Sequence, residues 1–302
     1  MSGIQVSIII VNYNTRKMTQ ECIESVFENT KDISIEVILV DNRSTDDSKL
    51  FFEKDKRLRY VYSFENMGFG RANNVGLMLA KGEYVFLLNS DTLMTNNAIK
   101  IFYDNAKKNP NDHAFYGGWL MSRNRGIIHS YADIPTMKHL INEALLRYVH
   151  FFKRSNPLEL AHQYEKAGES IEVGYVTGAD LFFSRCIFEK YGAFDHHFFM
   201  YCEESDMQWR MKKYGIKSYI IKGPDIIHLC GEQNGNERKV RNVRVKLMNL
   251  ESQKYMLRKH YNHVQYILFR IVYFILLFFP TLFDFRYYSL RDRVKYVCAL
   301  AT

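Results

Sequence analysis

The stretch VSIIIVNYNTRKMTQECIESVFENTKDISIEVILVDN, residues 6–42, decides the fold of this chain. Two runs of mostly branched apolar residues, 6–11 and 35–40, have the length and composition of buried strands. Between them, apolar residues recur at helical spacing, which predicts a helix over 15–29. A strand, a helix and a second strand in this order form a unit with two parallel strands.

The same alternation continues along the chain and extends the pattern to four strands. We predict helices over 46–56 and 72–81 and strands over 58–62 and 84–88. This order is typical of an α/β fold with a mostly parallel sheet flanked by helices. Strand or helix patterns return over 136–152, 175–184, 204–214, 217–221 and a short run that ends at His228.

The composition is that of an ordinary globular protein. The chain has 302 residues, of which 47% are hydrophobic and 25% charged, so a disordered or fibrous chain is excluded. Its five cysteines form no CxxC pair, which argues against a disulfide framework and a thiolate zinc site and favours a reducing compartment. The first apolar run is short and has no basic residue before it, so we predict no signal peptide and a cytoplasmic protein.

The net charge of +8 is concentrated in the C-terminal part of the chain. Residues 236–263 contain eight lysines and arginines against two glutamates, and 264–302 contain five against two aspartates. The first 235 residues are therefore close to neutral. We predict a body over 1–235 and a basic, helical extension over 236–302. Nucleic acid, a membrane surface or an acidic substrate would each explain that charge.

The extension contains an apolar run over 264–283 whose one formal charge is Arg270. About 20 apolar residues just span a bilayer as a helix, but Arg270 and Pro280 argue against a span. Basic and aromatic residues flank the run, which suits a helix lying in the membrane interface against anionic headgroups. We therefore predict a peripheral protein on the cytoplasmic face of the cell membrane. The alternative is packing against the body or a homo-oligomer interface.

Polar residues follow three of the four predicted strands, as Asn12-Tyr13, Asp41-Asn42 and Asn89-Ser90-Asp91. Ligands bind outside the carboxyl ends of the strands in such sheets. A carboxylate there, such as Asp91, can hold a divalent cation that bridges a diphosphate, and the alternative is a turn that caps the next helix. His228, at the end of an apolar run, is either a metal ligand or a structural residue.

An acidic cluster, Glu203-Glu204-Ser205-Asp206, follows the aromatic stretch 198–201. Carboxylates beside apolar side chains have raised pKa values, which makes a general base workable near neutral pH. The alternative is an acidic helix N-terminus in which Asp206 pairs with Arg210 one turn later. From these residues alone, both interpretations stay open.

A glycine-containing loop, ENMGFGRANN, occupies residues 65–74. It lacks the third glycine of a dinucleotide fingerprint, and it follows the third strand rather than the first. It either simply opens a helix or lets Arg71 and backbone amides approach a phosphate.

Taken in order, these motifs resemble those of the family 2 glycosyltransferases of the GT-A fold, and closest among them the bacterial rhamnosyltransferase-like branch. The resemblance covers residues 4–235 and therefore identifies 1–235 as the GT-A domain. The matching segments are VSIIIVNYN (6–14), VILVDNRSTDDS (37–48), ENMGFGRANNVG (65–76), YVFLLNSDT (84–92), VTGADLFFSR (176–185), FDHHFFMYCEESDMQWR (194–210) and IIHLCG (226–231).

The resemblance implies roles for the residues at matching positions. Glu204 would be the catalytic base, with Glu203 and Asp206 as the next candidates. Asp91 and His228 would hold Mg²⁺ or Mn²⁺, with Asn89 replacing the first acid of the family's DxD motif. The donor would be bound by Asn12, Tyr13, Asp41, Asn66, Arg71, Asn89 and Ser90. The acceptor would be bound by Thr177, Gly178, Ala179 and Asp180.

The function that the resemblance implies is inverting sugar transfer from a nucleoside-diphosphate donor, with dTDP or UDP as the nucleotide and rhamnose as the sugar of that branch. The acceptor it implies is a hydroxyl of a cell-surface glycan on a lipid carrier. A non-catalytic module that binds sugar nucleotides or polysaccharide is the alternative. We predict no nucleic-acid partner, because the basic segment leads into apolar sequence that fits a membrane better than a duplex.

Overall fold

The computed structural model describes residues 3–108, 113–149, 163–229, 243–283 and 289–301. The chain divides into two compact units. The first comprises Met1–Ala132, Pro157–Phe199 and Glu203–Cys230, and the second comprises Asp133–Asn156, Met200–Cys202 and Gly231–Thr302. The boundary predicted at residue 235 lies outside the described residues and stays a prediction.

The described secondary structure alternates strands and helices through the first unit, while the elements of the second unit are helices. The strands are β1 (Val6–Asn12), β2 (Ile35–Asp41), β3 (Leu58–Tyr62), β4 (Tyr84–Asn89), β5 (Thr92–Met94), β6 (Ala114–Met121), β7 (Tyr131–Ala132), β8 (Ser170–Val173), β9 (Tyr175–Val176), β10 (Asp180–Ser184) and β11 (Lys217–His228). The principal helices are α1 (Arg16–Asn29), α2 (Ser48–Phe52), α3 (Phe69–Leu79), α4 (Ala98–Lys108), α5 (Met137–Val149), α6 (Arg185–Tyr191), α7 (Glu203–Lys212), α8 (Val243–His260), α9 (His263–Leu282) and α10 (Leu290–Ala301).

A mixed sheet forms the centre of the first unit. Among the described residues its strand order is β3-β2-β1-β4-β10-β6-β11-β5, with β8 paired to β11. Strands β1 to β4 are mutually parallel, and Asn12 of β1 is in register with Asp41 of β2. Strand β10 runs antiparallel between β4 and β6, with Asp180 opposite Leu88. The start of β10 therefore lies at the same edge as the end of β4.

Both faces of this sheet are covered, which explains why its central strands are continuous apolar runs. In β1, Ile8 and Ile10 belong to the core on one face, together with Cys22 of α1. The intervening Ile9 belongs to the core on the opposite face, together with Leu77 of α3. The side chains of consecutive strand residues point to opposite faces, so the middle of β1 is apolar on both faces.

The first four predicted strands are confirmed to within one residue. Other predictions differ from the structure. The pattern at 175–184 is two strands, Tyr175–Val176 and Asp180–Ser184, and the helix predicted over 72–81 is observed as Phe69–Leu79. The helix predicted over 46–56 is limited to Ser48–Phe52. The patterns at 217–221 and up to His228 belong to one strand, Lys217–His228, whose pairing with β6 shifts register between Ile221 and Ile226.

The second unit contains helices α5, α8, α9 and α10, which share one apolar core. The helix predicted over 136–152 is observed as Met137–Val149, and residues 150–152 lie outside the described residues. Sequence patterns did not indicate that this helix joins the C-terminal unit. Of the described helices, α9 is long and apolar enough to cross a membrane, with 22% of its most apolar window buried.

The glycine loop is fixed against the segment that precedes helix α7. Gly68 has φ +80° and ψ 179°, a conformation essentially reserved for glycine. Its neighbour Phe69 donates its backbone N–H to the carbonyl of Phe199 at 2.9 Å. A Cβ atom on Gly68 would overlap that same carbonyl. Backbone therefore packs directly on backbone at this point.

We expect Gly68→Ala to destabilise the protein by more than about 1–3 kcal/mol, the usual cost of a sparsely populated backbone conformation, because backbone strain and steric overlap act together. The matched control is Gly215→Ala, since Gly215 has a similar φ of +79° but open space around it. Urea unfolding measures both losses. Equal losses for the two variants would contradict the importance of the Phe199 contact.

Candidate active site

The polar residues at the ends of β1 and β2 bind each other. Asn12 donates through Nδ2 to Ser44 Oγ at 3.0 Å and to Asp41 Oδ2 at 3.4 Å. Asp41 also accepts the backbone N–H of Ser44 at 2.7 Å and the hydroxyl of Tyr60 at 3.0 Å. Both Asn12 and Asp41 are fully buried, whereas Tyr13 is 47% exposed. Asn12 and Asp41 thus shape the floor of this edge, and Tyr13 is the group open to a ligand.

The glycine loop is anchored to β2 through side-chain amides. Asn66 Oδ1 accepts from Asn42 Nδ2 and from the backbone N–H of Gly68, both at 3.0 Å. Arg71 is exposed and forms an ion pair with Glu65 at 2.9 Å. Such surface pairs contribute little to stability, so Arg71 can exchange its partner for an anionic ligand at low cost. Asn42 was not among the predicted site residues, although it directly follows Asp41.

Strand pairing brings together the two predicted metal ligands. Asp91 Oδ1 lies 3.2 Å from His228 Nε2, and both side chains are partly exposed. The backbone N–H of Leu229 donates to the carbonyl of Asp91 at 2.8 Å, which continues the pairing of β5 with β11. Ser90 Oγ lies 3.3 Å from Thr15 Oγ1 at the start of α1. The side chains of Asp91 and His228 could therefore bind the same metal ion.

The backbone of Asn89 is held from inside the protein. Cys22 Sγ donates to its carbonyl at 3.5 Å, and Thr92 Oγ1 donates to the same oxygen at 2.7 Å. Burial raises the pKa of Cys22 to about 12, so this thiol keeps its proton at neutral pH. The turn that carries Asp91 is thus fixed by two donors beneath it.

Asp180, predicted in the acceptor segment, is fully buried. Its Oδ2 accepts the backbone N–H of Gly118 at 2.6 Å, and its Oδ1 has no hydrogen-bond partner. Burial raises the pKa of this carboxyl well above its usual value, opposed by the Gly118 N–H and by the charge of His228. Direct contact with an acceptor does not fit this burial, because the carboxyl faces the interior near the metal-ligand pair.

The other predicted acceptor residues lie where β10 begins. Ala179 accepts the backbone N–H of Asn89 at 3.0 Å through its carbonyl, and Thr177 Oγ1 donates to the carbonyl of Ser130 at 3.1 Å. Gly178 is buried and presents its backbone N–H to Glu204. These contacts join the segment to the end of β4 on one side and to helix α7 on the other.

Glu204 occupies a setting suited to a general base. Burial raises the pKa of its carboxyl, while the backbone N–H groups of Glu204, Gly178 and Ser205 bond to it and partly offset the rise. Its Oε2 has no hydrogen-bond partner. A carboxylate that is held on one side and unpaired on the other can accept a proton from a ligand hydroxyl.

Glu203 and Asp206 differ from Glu204 in their surroundings. Glu203 is buried, its Oε2 has no hydrogen-bond partner, and burial together with the adjacent Glu204 raises its pKa well above the usual value. Asp206 is fully buried and lies 3.0 Å from Arg210 Nε. Arg210 also donates to two backbone carbonyls. These contacts favour the structural interpretation of Asp206 over the catalytic one.

Two non-glycine residues directly before Glu203 have positive φ angles. Tyr201 has φ +71° and Cys202 has φ +67°. Each such residue costs of order 1–3 kcal/mol, and strain of this kind clusters at functional sites. Sequence patterns gave no sign of it, because neither residue type is typical of a left-handed conformation.

A second group of potential metal ligands lies in the loop before helix α7. Among the described residues, Asp195, His196 and His197 form the one cluster of three such groups. His197 Nδ1 lies 2.9 Å from Asp195 Oδ1, and both imidazoles are exposed. This cluster includes neither Asp91 nor His228, and it serves as a natural control for them.

We expect Glu203→Gln to raise the stability of the fold at pH 7, by about 1 kcal/mol, because it removes a buried and unpaired ionisable group. A folded-state pKa above the unfolded value means that wild-type stability falls as pH rises above about 4.5. The gain should therefore shrink as pH is lowered towards 4. Thermal unfolding between pH 4 and 8 measures it, and a gain independent of pH would contradict this assignment.

Comparisons with known proteins identify the family and the fold of the chain. Residues 7–173 match the model of the family described as "Glycosyl transferase family 2". The chain is 34% identical over 111 residues to "Glycosyltransferase GlyG" of Streptococcus pneumoniae serotype 4, a match that covers 35% of this chain and 36% of that relative. The chain thus spans about a third of that relative's length.

Two further similarities are more distant. The chain is 26% identical over 216 residues to "N-acetylglucosaminyl-diphospho-decaprenol L-rhamnosyltransferase" of Mycobacterium tuberculosis strain H37Rv, covering 67% of this chain and 69% of that one. The crystal structure of GalNAc-T7 with UDP, GalNAc and Mn²⁺ aligns with a TM-score of 0.62 at 13% identity, covering 99% of this chain and 55% of that one. This likeness shows the fold and confirms the predicted GT-A architecture. Because the family model matches more than half of the chain, the protein belongs to glycosyl transferase family 2.

Proposed function

We propose that this protein is an inverting glycosyltransferase that moves a sugar from a nucleoside-diphosphate donor to an acceptor hydroxyl. The observation that carries the proposal is the carboxylate of Glu204, held by the Gly178 N–H, at the sheet edge where Asp91 and His228 also lie. This edge supplies a base together with ligands for a diphosphate-bound cation. A general base would activate the acceptor hydroxyl, and a cation would offset the charge of the leaving diphosphate, so both would favour direct displacement at an anomeric carbon.

In the proposed reaction, Glu204 takes the proton of the acceptor hydroxyl. The acceptor oxygen forms a bond to the anomeric carbon while the bond from that carbon to the diphosphate oxygen breaks. The nucleoside diphosphate leaves with the electron pair of the broken bond. A single displacement of this kind inverts the anomeric configuration and needs no covalent intermediate on the protein.

Asp91 and His228 fit a divalent cation, because they offer one carboxylate oxygen and one imidazole nitrogen in direct proximity and partly exposed. When bound, Mg²⁺ or Mn²⁺ supplies charge that offsets the charge of the departing diphosphate. The protein's part is to keep both ligand side chains together. Asn89, fixed from below by Cys22, keeps the turn that carries Asp91 in place.

For the donor and the acceptor, we propose a dTDP- or UDP-linked sugar, with rhamnose as the first candidate, and a lipid-linked cell-surface glycan. The support is the mycobacterial relative, which is named as an N-acetylglucosaminyl-diphospho-decaprenol L-rhamnosyltransferase. Tyr13 and Arg71 are the exposed side chains available to the nucleotide and the phosphates. A donor-hydrolysis screen over dTDP- and UDP-sugars with Mg²⁺ and Mn²⁺ tests this choice.

We expect Glu204→Gln to lower the rate of sugar transfer by about two to four orders of magnitude, the usual contribution of a general base. Donor binding should stay close to wild type, because the amide keeps the size and the remaining contacts of the carboxylate. Single-turnover transfer and isothermal titration with the donor measure the two quantities. The control is Glu251→Gln, an exposed glutamate of helix α8.

Transfer at the wild-type rate by Glu204→Gln would contradict the assignment and make Glu203 the next candidate. Donor binding without any transfer by the wild-type protein, across the whole donor screen, would instead support the alternative function, a non-catalytic sugar-nucleotide or polysaccharide-binding module.

We expect nucleotide binding to depend on a cation held by Asp91 and His228. In wild type, UDP or dTDP with Mn²⁺ should stabilise the fold by roughly 2.7 kcal/mol at a hundred times Kd, and EDTA should remove most of this gain. Asp91→Asn and His228→Gln should lose the Mn²⁺-dependent part. Thermal shift measurements with and without Mn²⁺ and nucleotide give this stabilisation for each variant.

The control for the metal site is His197→Gln, in the separate Asp195–His197 cluster. This variant should keep the Mn²⁺-dependent stabilisation of wild type. Loss of the effect in His197→Gln, with Asp91→Asn unchanged, would move the cation to that cluster.

A further inference from the structure

Helix α9 presents a continuous apolar stripe to solvent. Its members recur at helical spacing and are between 43% and 66% exposed. We define this apolar stripe by six residues, Val264, Ile267, Leu268, Ile271, Ile275 and Phe279. Contiguous exposed apolar surface of this kind marks a site of interaction with another surface.

The opposite side of the same helix is buried. Tyr266, Phe269, Tyr273 and Leu277 belong to the apolar core of the second unit, with Leu257 of helix α8. The helix is therefore bound to its own unit along one side and open along the other. To cross a bilayer, such a helix would have to carry its packed neighbours with it, so this arrangement favours a position in the membrane interface.

The one charged residue within α9 is kept off the apolar stripe. Arg270 donates to the carbonyl of Leu300 at 2.9 Å, and its guanidinium lies over the ring of Tyr266 at 5.8 Å from the centroid. Both contacts are on the buried side of the helix. The guanidinium of Arg270 therefore does not interrupt the apolar surface of the stripe.

Two properties of this surface favour lipid over protein as its partner. The six side chains of the stripe offer no hydrogen-bonding group, whereas protein interfaces carry about one hydrogen bond per 100–200 Å². Exposed cations lie close to it along the chain, with Arg258 and Lys259 before α9 and Arg291 and Lys295 in α10. Cations beside an apolar face complement the anionic headgroups and acyl chains of a bilayer.

We propose that the apolar stripe of α9 binds the second unit to an anionic membrane. The stripe inserts into the interfacial layer, and the flanking cations contact the anionic headgroups. This inference does not rest on the proposed catalytic chemistry. It concerns a helix of the second unit and uses none of the residues assigned to catalysis or donor binding. Its failure and the failure of the transferase proposal are therefore distinguishable.

The test is flotation of the full chain with vesicles of phosphatidylcholine, alone or with about one third phosphatidylglycerol. The variant Leu268→Asp/Ile275→Asp places two charges on the stripe. The matched control is Leu50→Asp, since Leu50 is 64% exposed and Leu268 59%, and Leu50 lies in helix α2 of the other unit. Circular dichroism confirms that each variant is folded, and sedimentation velocity gives its oligomeric state.

We expect wild type and Leu50→Asp to float with the anionic vesicles and to be released in part by high salt. The stripe variant should lose at least about tenfold in vesicle affinity, because a charge in the apolar layer opposes insertion. Failure of wild type to bind anionic vesicles would overturn the proposal. So would a wild-type dimer that ignores vesicles and dissociates in the stripe variant, since the surface would then be a self-interface.

Discussion

The arrangement of the site depends on one antiparallel strand, Asp180–Ser184, which is inserted between parallel strands of the sheet. The strands before it bring their carboxyl ends to one edge, and a further parallel strand there would have carried its amino end to the opposite edge. Because β10 runs the other way, its first residues meet the end of β4. The backbone N–H of Gly178 can then bond to the carboxylate of Glu204, and the carboxyl of Asp180 can interact electrostatically with His228. Glu204, Asp91 and His228 thus share one edge of the sheet because of the direction of a single strand.

Three buried carboxyl groups at this edge have an oxygen without a hydrogen-bond partner, those of Asp180, Glu203 and Glu204. Unpaired polar atoms in the interior cost free energy, commonly about 1–3 kcal/mol each. The rest of the first unit is well packed, with apolar cores on both faces of the sheet. Strongly shifted pKa values and unpaired acids concentrated at one place are typical of a functional site rather than of a structural core.

The local sequence was sufficient to predict the central strands of the sheet. The runs at 6–11 and 84–88 are buried on both faces, so their apolar character alone predicted strands. The direction and the neighbours of β10 depend on pairing between segments that are distant in the sequence. An apolar pattern predicts that a strand forms, but it does not say which strands it pairs with or in which direction. The burial of Asp180 could not be predicted for the same reason, because it follows from a contact with Gly118 in β6, which is distant in the sequence. The proximity of Asp91 and His228 was expected from the family's motif order and not from spacing.

The thiol of Cys22 gives this protein a built-in reporter of motion. At neutral pH it is protonated and fully buried beneath the carbonyl of Asn89, so alkylating reagents cannot reach it in the closed state. Cys298 is exposed, so reagents can reach it in the native fold, and it serves as the reference thiol. Modification of Cys22 therefore requires α1 and the end of β4 to separate. Its rate, followed by mass spectrometry, measures how often the support beneath Asp91 opens.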